Sequence, residues 1–158
     1  TALFGNSFKY RTLLRFNLAA LSGKQISSAT LTLFANGNSQ LSVPMTVTLF
    51  RCTRLDWNET QCTWTNYDAD NAWTVTGGDY DGATGIARVV SSNDQDLLFS
   101  GQEFTDMVSD ASTIGAYSDT LSLLLIGQEA PVNGFFSGNS REVATAADRP
   151  TLHVEYYD

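Results

Sequence analysis

Acid is missing from the first third of this chain. Residues 1–54 carry Lys9, Lys24, Arg11, Arg15, Arg51 and Arg54 with no Asp or Glu, whereas all 17 acids follow, against Arg88, Arg141 and Arg149. A block of +6 is thus followed by one of −14, for a net charge of −8. That excess of acid argues against a nucleic-acid partner. Early and late strands interleave in a β-sandwich, so the two blocks are expected to pair across the fold. The sharper alternative is a basic face that meets an acidic polymer. Long apolar runs are also lacking. No run is longer than Leu123–Ile126, which falls far short of the ~20 residues of a membrane-spanning helix and excludes helical membrane insertion. With one histidine, His153, and no G-x-S-x-G, H-E-x-x-H or P-loop pattern, the chain has little for catalysis. Its many acids offer a carboxylate pair for glycoside hydrolysis only in undistinguished contexts. Cysteine is limited to Cys52 and Cys62, with a turn-like Asp56-Trp57-Asn58-Glu59 between them. A hairpin there would bring the pair together, so a disulfide is expected.

The residues that are present describe strands. Apolar residues make up 42% and charged residues only 16%, with Thr, Ser, Asn and Gly abundant, a balance of extracellular all-β domains. Tyr10, Leu14, Phe16 and Leu18 alternate with Lys9, Arg11, Leu13, Arg15 and Asn17, so 9–18 reads as a strand with its second set on a polar face. Ile26–Ala35 alternates likewise, with Ala29, Leu31 and Leu33 inward. Met45, Val47 and Leu49 against Thr46, Thr48 and Phe50 give a third strand. Gly85–Val90, Leu97–Phe99 and Phe135–Ser137 read as shorter ones. The continuous apolar run Leu121–Gly127 fits a central strand. A terminal strand, 152–157, follows Arg149-Pro150, where proline is tolerated. Phe104, Met107, Val108 and Ala111 recur at helical spacing, which predicts one short helix near residues 104–111. The reading is all-β: an antiparallel β-sandwich, jelly-roll-like, formed as a single module over 1–158. Its start at Thr1 without Met suggests a piece of a longer or processed protein.

All three tryptophans lie in Trp57–Gly82, within a window from Arg54 to Arg88 that holds six acids and no cation. Trp57 and Trp64 are expected to anchor a hairpin in the core, since aromatics carry the largest buried area in a small domain. Trp73 is expected to be exposed, with Tyr67 and Tyr80 as further rings for stacking on the C–H-rich face of a sugar. Arg11 and Arg15, beside Lys9, share one strand face and are candidates for sugar carboxylates or sulfates, Arg being suited to bidentate contacts. Their alternative use is a cross-strand pair with Glu155 or Glu142. Asp68, Asp70, Asn71, Asp79 and Asp81 offer hard oxygen ligands that a calcium ion would recruit together; the competing reading is Asx-turns. His153 is expected to be an exposed strand residue. Asn58-Glu59-Thr60 is an N-glycosylation sequon.

Four segments in order carry a family resemblance: Arg11–Phe16 as R-x-L-L-R-F, Ser28–Leu33 as S-A-x-L-x-L, Trp57–Trp64 as W-x-E-x-x-x-T-W, and Arg149–Val154 as R-P-x-L-x-V. Together they resemble the DNRLRE β-sandwich modules, which overlap a carbohydrate-binding module family. Two departures stand out. The family has a further strand ahead of the first motif, where this chain has only TALFGNSF, so an N-terminal strand is expected to be missing. The stretch Asp68–Gly82 is a long insertion. The resemblance implies a non-catalytic module of secreted polysaccharide-active enzymes, cell-surface proteins or viral structural proteins; with the candidate residues Trp73, Tyr67, Tyr80, Arg11 and Arg15, the expectation is an extracellular module that recognises a polysaccharide. A structural domain of a virion or surface filament, contacting neighbouring subunits, is the rival from another class. Exposed apolar rings at Phe34, Phe50 or Phe135 would favour that rival, and a polysaccharide hydrolase stands last.

Overall fold

The computed structural model describes residues 2–6, 9–41, 44–113, 115–117, 119–129 and 134–158, residues 2–6 by backbone alone. Among these residues ten strands and one α-helix follow in order, besides short 3-10 turns: β1 (Ala2–Asn6), β2 (Lys9–Asn17), β3 (Gln25–Leu33), β4 (Gln40–Leu41), β5 (Met45–Cys52), β6 (Tyr80–Val90), β7 (Leu97–Ser100), α1 (Gln102–Thr113), β8 (Thr120–Gly127), β9 (Gly134–Phe135) and β10 (Thr151–Tyr157). The fold is the expected antiparallel β-sandwich. A wide sheet runs β1-β2-β8-β5-β6, a narrow one β10-β3-β7, and β4 pairs β9 apart from both. A strand does stand ahead of β2: β1 pairs it from Ala2↔Leu13 to Asn6↔Lys9. The expected strand at Phe135–Ser137 is the two-residue β9, and β6 begins at Tyr80, earlier than the alternation suggested.

The register explains the sequence pattern. Leu14↔Leu123 and Phe16↔Leu121 put one set of β2 and β8 side chains on the inner face, and Leu49↔Leu125 continues that face into β5. Against it pack Ala29, Leu31 and Leu33 of β3 and Phe99 of β7, with Leu152 and Val154 of β10 at the margin. Helix α1 closes this core with Phe104, Met107, Val108 and Ala111, the positions its period singled out. Gly101, at φ 102°, supplies the turn into the helix, a backbone region that L side chains rarely adopt.

The continuous run in β8 has a different cause from simple centrality. Leu13↔Leu124 lies on the outer face of the wide sheet, and both residues are fully buried. They are covered by the Trp-rich segment in a second apolar cluster with Cys52, Trp57 and Trp73. Leu13 therefore does not share solvent with Lys9, Arg11 and Arg15. An apolar pair on an outer face requires a covering layer, because bare apolar surface costs about 25 cal/mol per Å².

The charge blocks pair across the fold, as expected. Glu129 meets Arg11 at 2.7 Å and Lys9 at 3.4 Å, Arg54 meets Asp56 and Asp79 at 3.6 Å each, and Lys24 pairs with Asp158. Arg51 points inward from β5. Its Nη2 donates to the Met107 carbonyl and Asp110, each at 3.1 Å, and its Nη1 donates to the Tyr117 hydroxyl at 2.9 Å, tying α1 and the turn after it to the wide sheet.

A candidate sugar-binding groove on the wide sheet

On the outer face, beside the Trp-rich layer, lies a groove of about 370 Å³. β5 contributes Thr46, Thr48 and Phe50, which alternate with the core residues of the same strand. β6 contributes Tyr80, and the chain leaving β8 contributes Gln128 and Glu129. Tyr80 is 36% exposed, and its ring centre is 4.7 Å from that of Phe50. Gly85 on β6 makes that placement feasible, because a Cβ there would lie 2.7 Å from the Phe50 ring.

Arg11 forms one wall. Its Nε and Nη2 donate to Glu129 at 2.7 and 3.3 Å, and its Nη1 donates to the Gly77 carbonyl at 2.8 Å. The guanidinium lies over the Trp64 ring at 4.8 Å and 6.0 Å from the Tyr80 ring, a cation–π geometry that fixes the aromatic walls relative to the charge. Gly77 is required here. Its φ is 93°, and a Cβ would sit 2.7 Å from Arg11 Nη1 and 3.0 Å from the Trp64 ring. Burial alone would raise the Glu129 pKa. The hydrogen bond and charge of Arg11, with Lys9 behind it, outweigh that and hold it below the ordinary carboxylate value. The groove therefore offers an aromatic face next to an ionised carboxylate and neutral hydroxyl and amide groups, the complement of a sugar's C–H face and its hydroxyls.

The structure separates the predicted ligand residues. Arg11 and Tyr80 meet in the groove. Arg15 does not join them: its Nη1 donates to the Leu55 and Trp57 carbonyls at 2.8 and 3.1 Å, and its guanidinium covers the Trp57 ring. It staples the Trp-rich layer to β2. Neither arginine pairs with Glu155 or Glu142, which engage Ser28 and Arg141. Trp73 was expected to be exposed and is 4% exposed, because it packs on Leu13 and Leu124, with Nε1 donating to the Thr63 carbonyl at 2.9 Å. Tyr67 is half-buried, edge-on to Trp73 at 5.8 Å and under the Arg54 guanidinium at 4.1 Å. Trp57, at 1% exposure, is the core anchor expected, whereas Trp64 is only partly buried, packed on the second cluster beneath the Arg11 guanidinium. Reasoning from sequence missed Glu129 and the contact of Arg11 with Trp64. It placed Phe50 outward, and Phe50 is half-buried in the groove.

The five oxygen ligands expected to gather around calcium do not converge. Asp68 Oδ1 accepts from the Asp70 and Asn71 amides at 2.9 and 2.7 Å, and Asn71 Nδ2 donates to the same carboxylate. The Asn71 and Asp70 hydrogen bonds hold the Asp68 pKa below its usual value. Asp79 accepts from the Thr74 and Val75 amides at 3.1 and 2.8 Å, and Asp81 from that of Ala83 at 2.9 Å. These carboxylates satisfy the backbone of their own turns. No group of three or more His, Cys, Asp or Glu side chains among the described residues could hold a metal.

The expected disulfide is absent: both cysteines are free. Cys52 turns to the outer face, where its thiol donates to the Arg54 carbonyl at 3.3 Å. Cys62 sits in a turn closed by its own amide on the Asn58 carbonyl at 2.9 Å. Both side chains pack in the second cluster, and burial pushes both thiols up in pKa.

A β-sandwich module with an aromatic groove on an outer face is the architecture these features define. The family model of carbohydrate-binding module family 96 matches residues 3–79, just under half of the chain. The match takes in the segments 11–16, 28–33 and 57–64 on which the resemblance rests, but not 149–154. No curated protein matches the chain.

Proposed function

We propose that this chain is a non-catalytic module that binds an extracellular polysaccharide in the groove on the outer face of the wide sheet. One observation carries the reading: Tyr80 stands exposed on Phe50, within 6.0 Å of an Arg11 guanidinium that is itself ion-paired with Glu129. The match to a carbohydrate-binding family over 3–79 supports it, since that stretch contributes Arg11, Thr46, Thr48 and Phe50. The groove's composition supports the non-catalytic reading. Glu129 is the one acid among its described lining residues, and it is already engaged by Arg11 and Lys9, whereas glycoside hydrolysis ordinarily needs two carboxylates. His153 lies exposed on β10 beside Glu155, outside the groove lining.

Affinity electrophoresis against neutral and uronate polysaccharides tests the reading. The wild type is expected to be retarded by at least one polysaccharide, and Tyr80→Ala to be retarded markedly less at the same polysaccharide concentration. Unretarded migration on every gel, or retardation unchanged in Tyr80→Ala, would overturn it.

A further inference from the structure

A second cavity, of about 390 Å³, opens between the two sheets beyond the end of β3. Leu14, Leu33, Met45, Val47 and Leu125 form its walls, all of them side chains of the main core. The segment after β9 roofs it, with Phe136 packed against that core. Tyr10, 58% exposed, and Phe135, 39% exposed, stand at its rim. Protein interiors are close-packed, with few voids larger than a water molecule. An apolar cavity of only about 150 Å³ already stays dry and takes up benzene.

We propose that this cavity is a second binding site, for a compact apolar group such as an aryl ring or short alkyl chain. The five wall side chains supply dispersion contacts and no charge, while Lys9, Glu129 and the polar Thr12, Ser137, Asn139 and Ser140 join the lining. Glu129 and Gln128 line both spaces, so the apolar group arrives either as a free molecule or as a substituent on a sugar held in the groove. The inference stands apart from polysaccharide binding, because the cavity's apolar walls are core residues that the groove does not use, although Gly127, Gln128 and Glu129 are common to both linings.

Toluene titrated into methyl-labelled protein and followed by NMR is the test. Saturable shifts are expected at the Leu14, Met45, Val47 and Leu125 methyls, with the Leu13 and Leu124 methyls of the second cluster unmoved. Val47→Phe, which fills the cavity, is expected to abolish the shifts. Should that variant fail to fold, Tyr10→Ala at the exposed rim is expected to weaken toluene binding several-fold. No saturable shift in the wild type, or full shifts in Val47→Phe, overturns the proposal. Octyl glucoside then assigns the source: binding weakened by Tyr80→Ala supports a substituent carried on sugar, and binding indifferent to it supports a free apolar molecule. Because toluene carries no sugar, failure of the polysaccharide reading leaves this result readable.

Discussion

Tyr80 and Trp73 come from the same acidic, aromatic segment, yet one rims a groove and the other is sealed beneath the segment's own fold. Their substitutions should therefore separate binding from stability. Tyr80→Ala removes a partly exposed ring and is expected to weaken polysaccharide binding about tenfold, or ~1.4 kcal/mol, while the denaturant midpoint hardly moves. Trp73→Ala empties a buried site and is expected to cost about 3–5 kcal/mol of stability, read by urea unfolding. Equal loss of binding and stability in both variants would contradict this division. The thiols give a second residue-scale outcome. With Cys52 and Cys62 free and burial raising both pKa values, a reductant is expected to leave the melting temperature unchanged. The half-buried Cys62 should react with a thiol reagent before Cys52, which is fully buried.

At the scale of elements, β2 and the chain leaving β8 are joined at the groove by Arg11, Lys9 and Glu129. Glu129 has a folded pKa below its unfolded value, so its contribution to stability is fully present above the ordinary glutamate range. It is lost as pH falls through the lowered folded value. Unfolding measured from neutral to acid pH is expected to show that loss, and Glu129→Gln should remove its share of the slope. Helix α1 depends on a different joint. Arg51→Ala is expected to destabilise the fold by about 2–3 kcal/mol, because it strips hydrogen bonds from Asp110, the Met107 carbonyl and Tyr117. Arg51→Met should cost less, since Arg51 Nε is buried without a hydrogen-bond partner and an apolar side chain leaves no such group. These elements were largely legible. Alternation gave β2, β3, β5 and β10, and the i, i+3, i+4, i+7 spacing gave α1. Strand β4 was not legible, as two residues contain no alternation, and the equally short β9 was anticipated only with displaced bounds.

For the whole molecule, the main core links both sheets and α1 through contiguous buried side chains. A single cooperative unfolding transition is expected by calorimetry, with calorimetric and van't Hoff enthalpies in agreement. Polysaccharide retention is expected to be unchanged by EDTA, because Asp68, Asp79 and Asp81 are committed to backbone amides of their own turns. Loss of retention on chelation would show that these turns reorganise around a metal. By itself the sequence determined what depends on local period and on composition: strands, one helix, an antiparallel sandwich, and the cross-fold pairing of a basic start with an acidic remainder. Only the tertiary structure decided which aromatics stay exposed. That choice follows from the return of residues 53–79 over the outer face of the wide sheet, where Leu13 and Leu124 bury Trp57 and Trp73 and leave Tyr80, with Phe50 beside it, at the margin. The physical reason is that a ring's exposure is set by what long-range folding lays against it, a quantity that neighbouring residues in the chain do not carry.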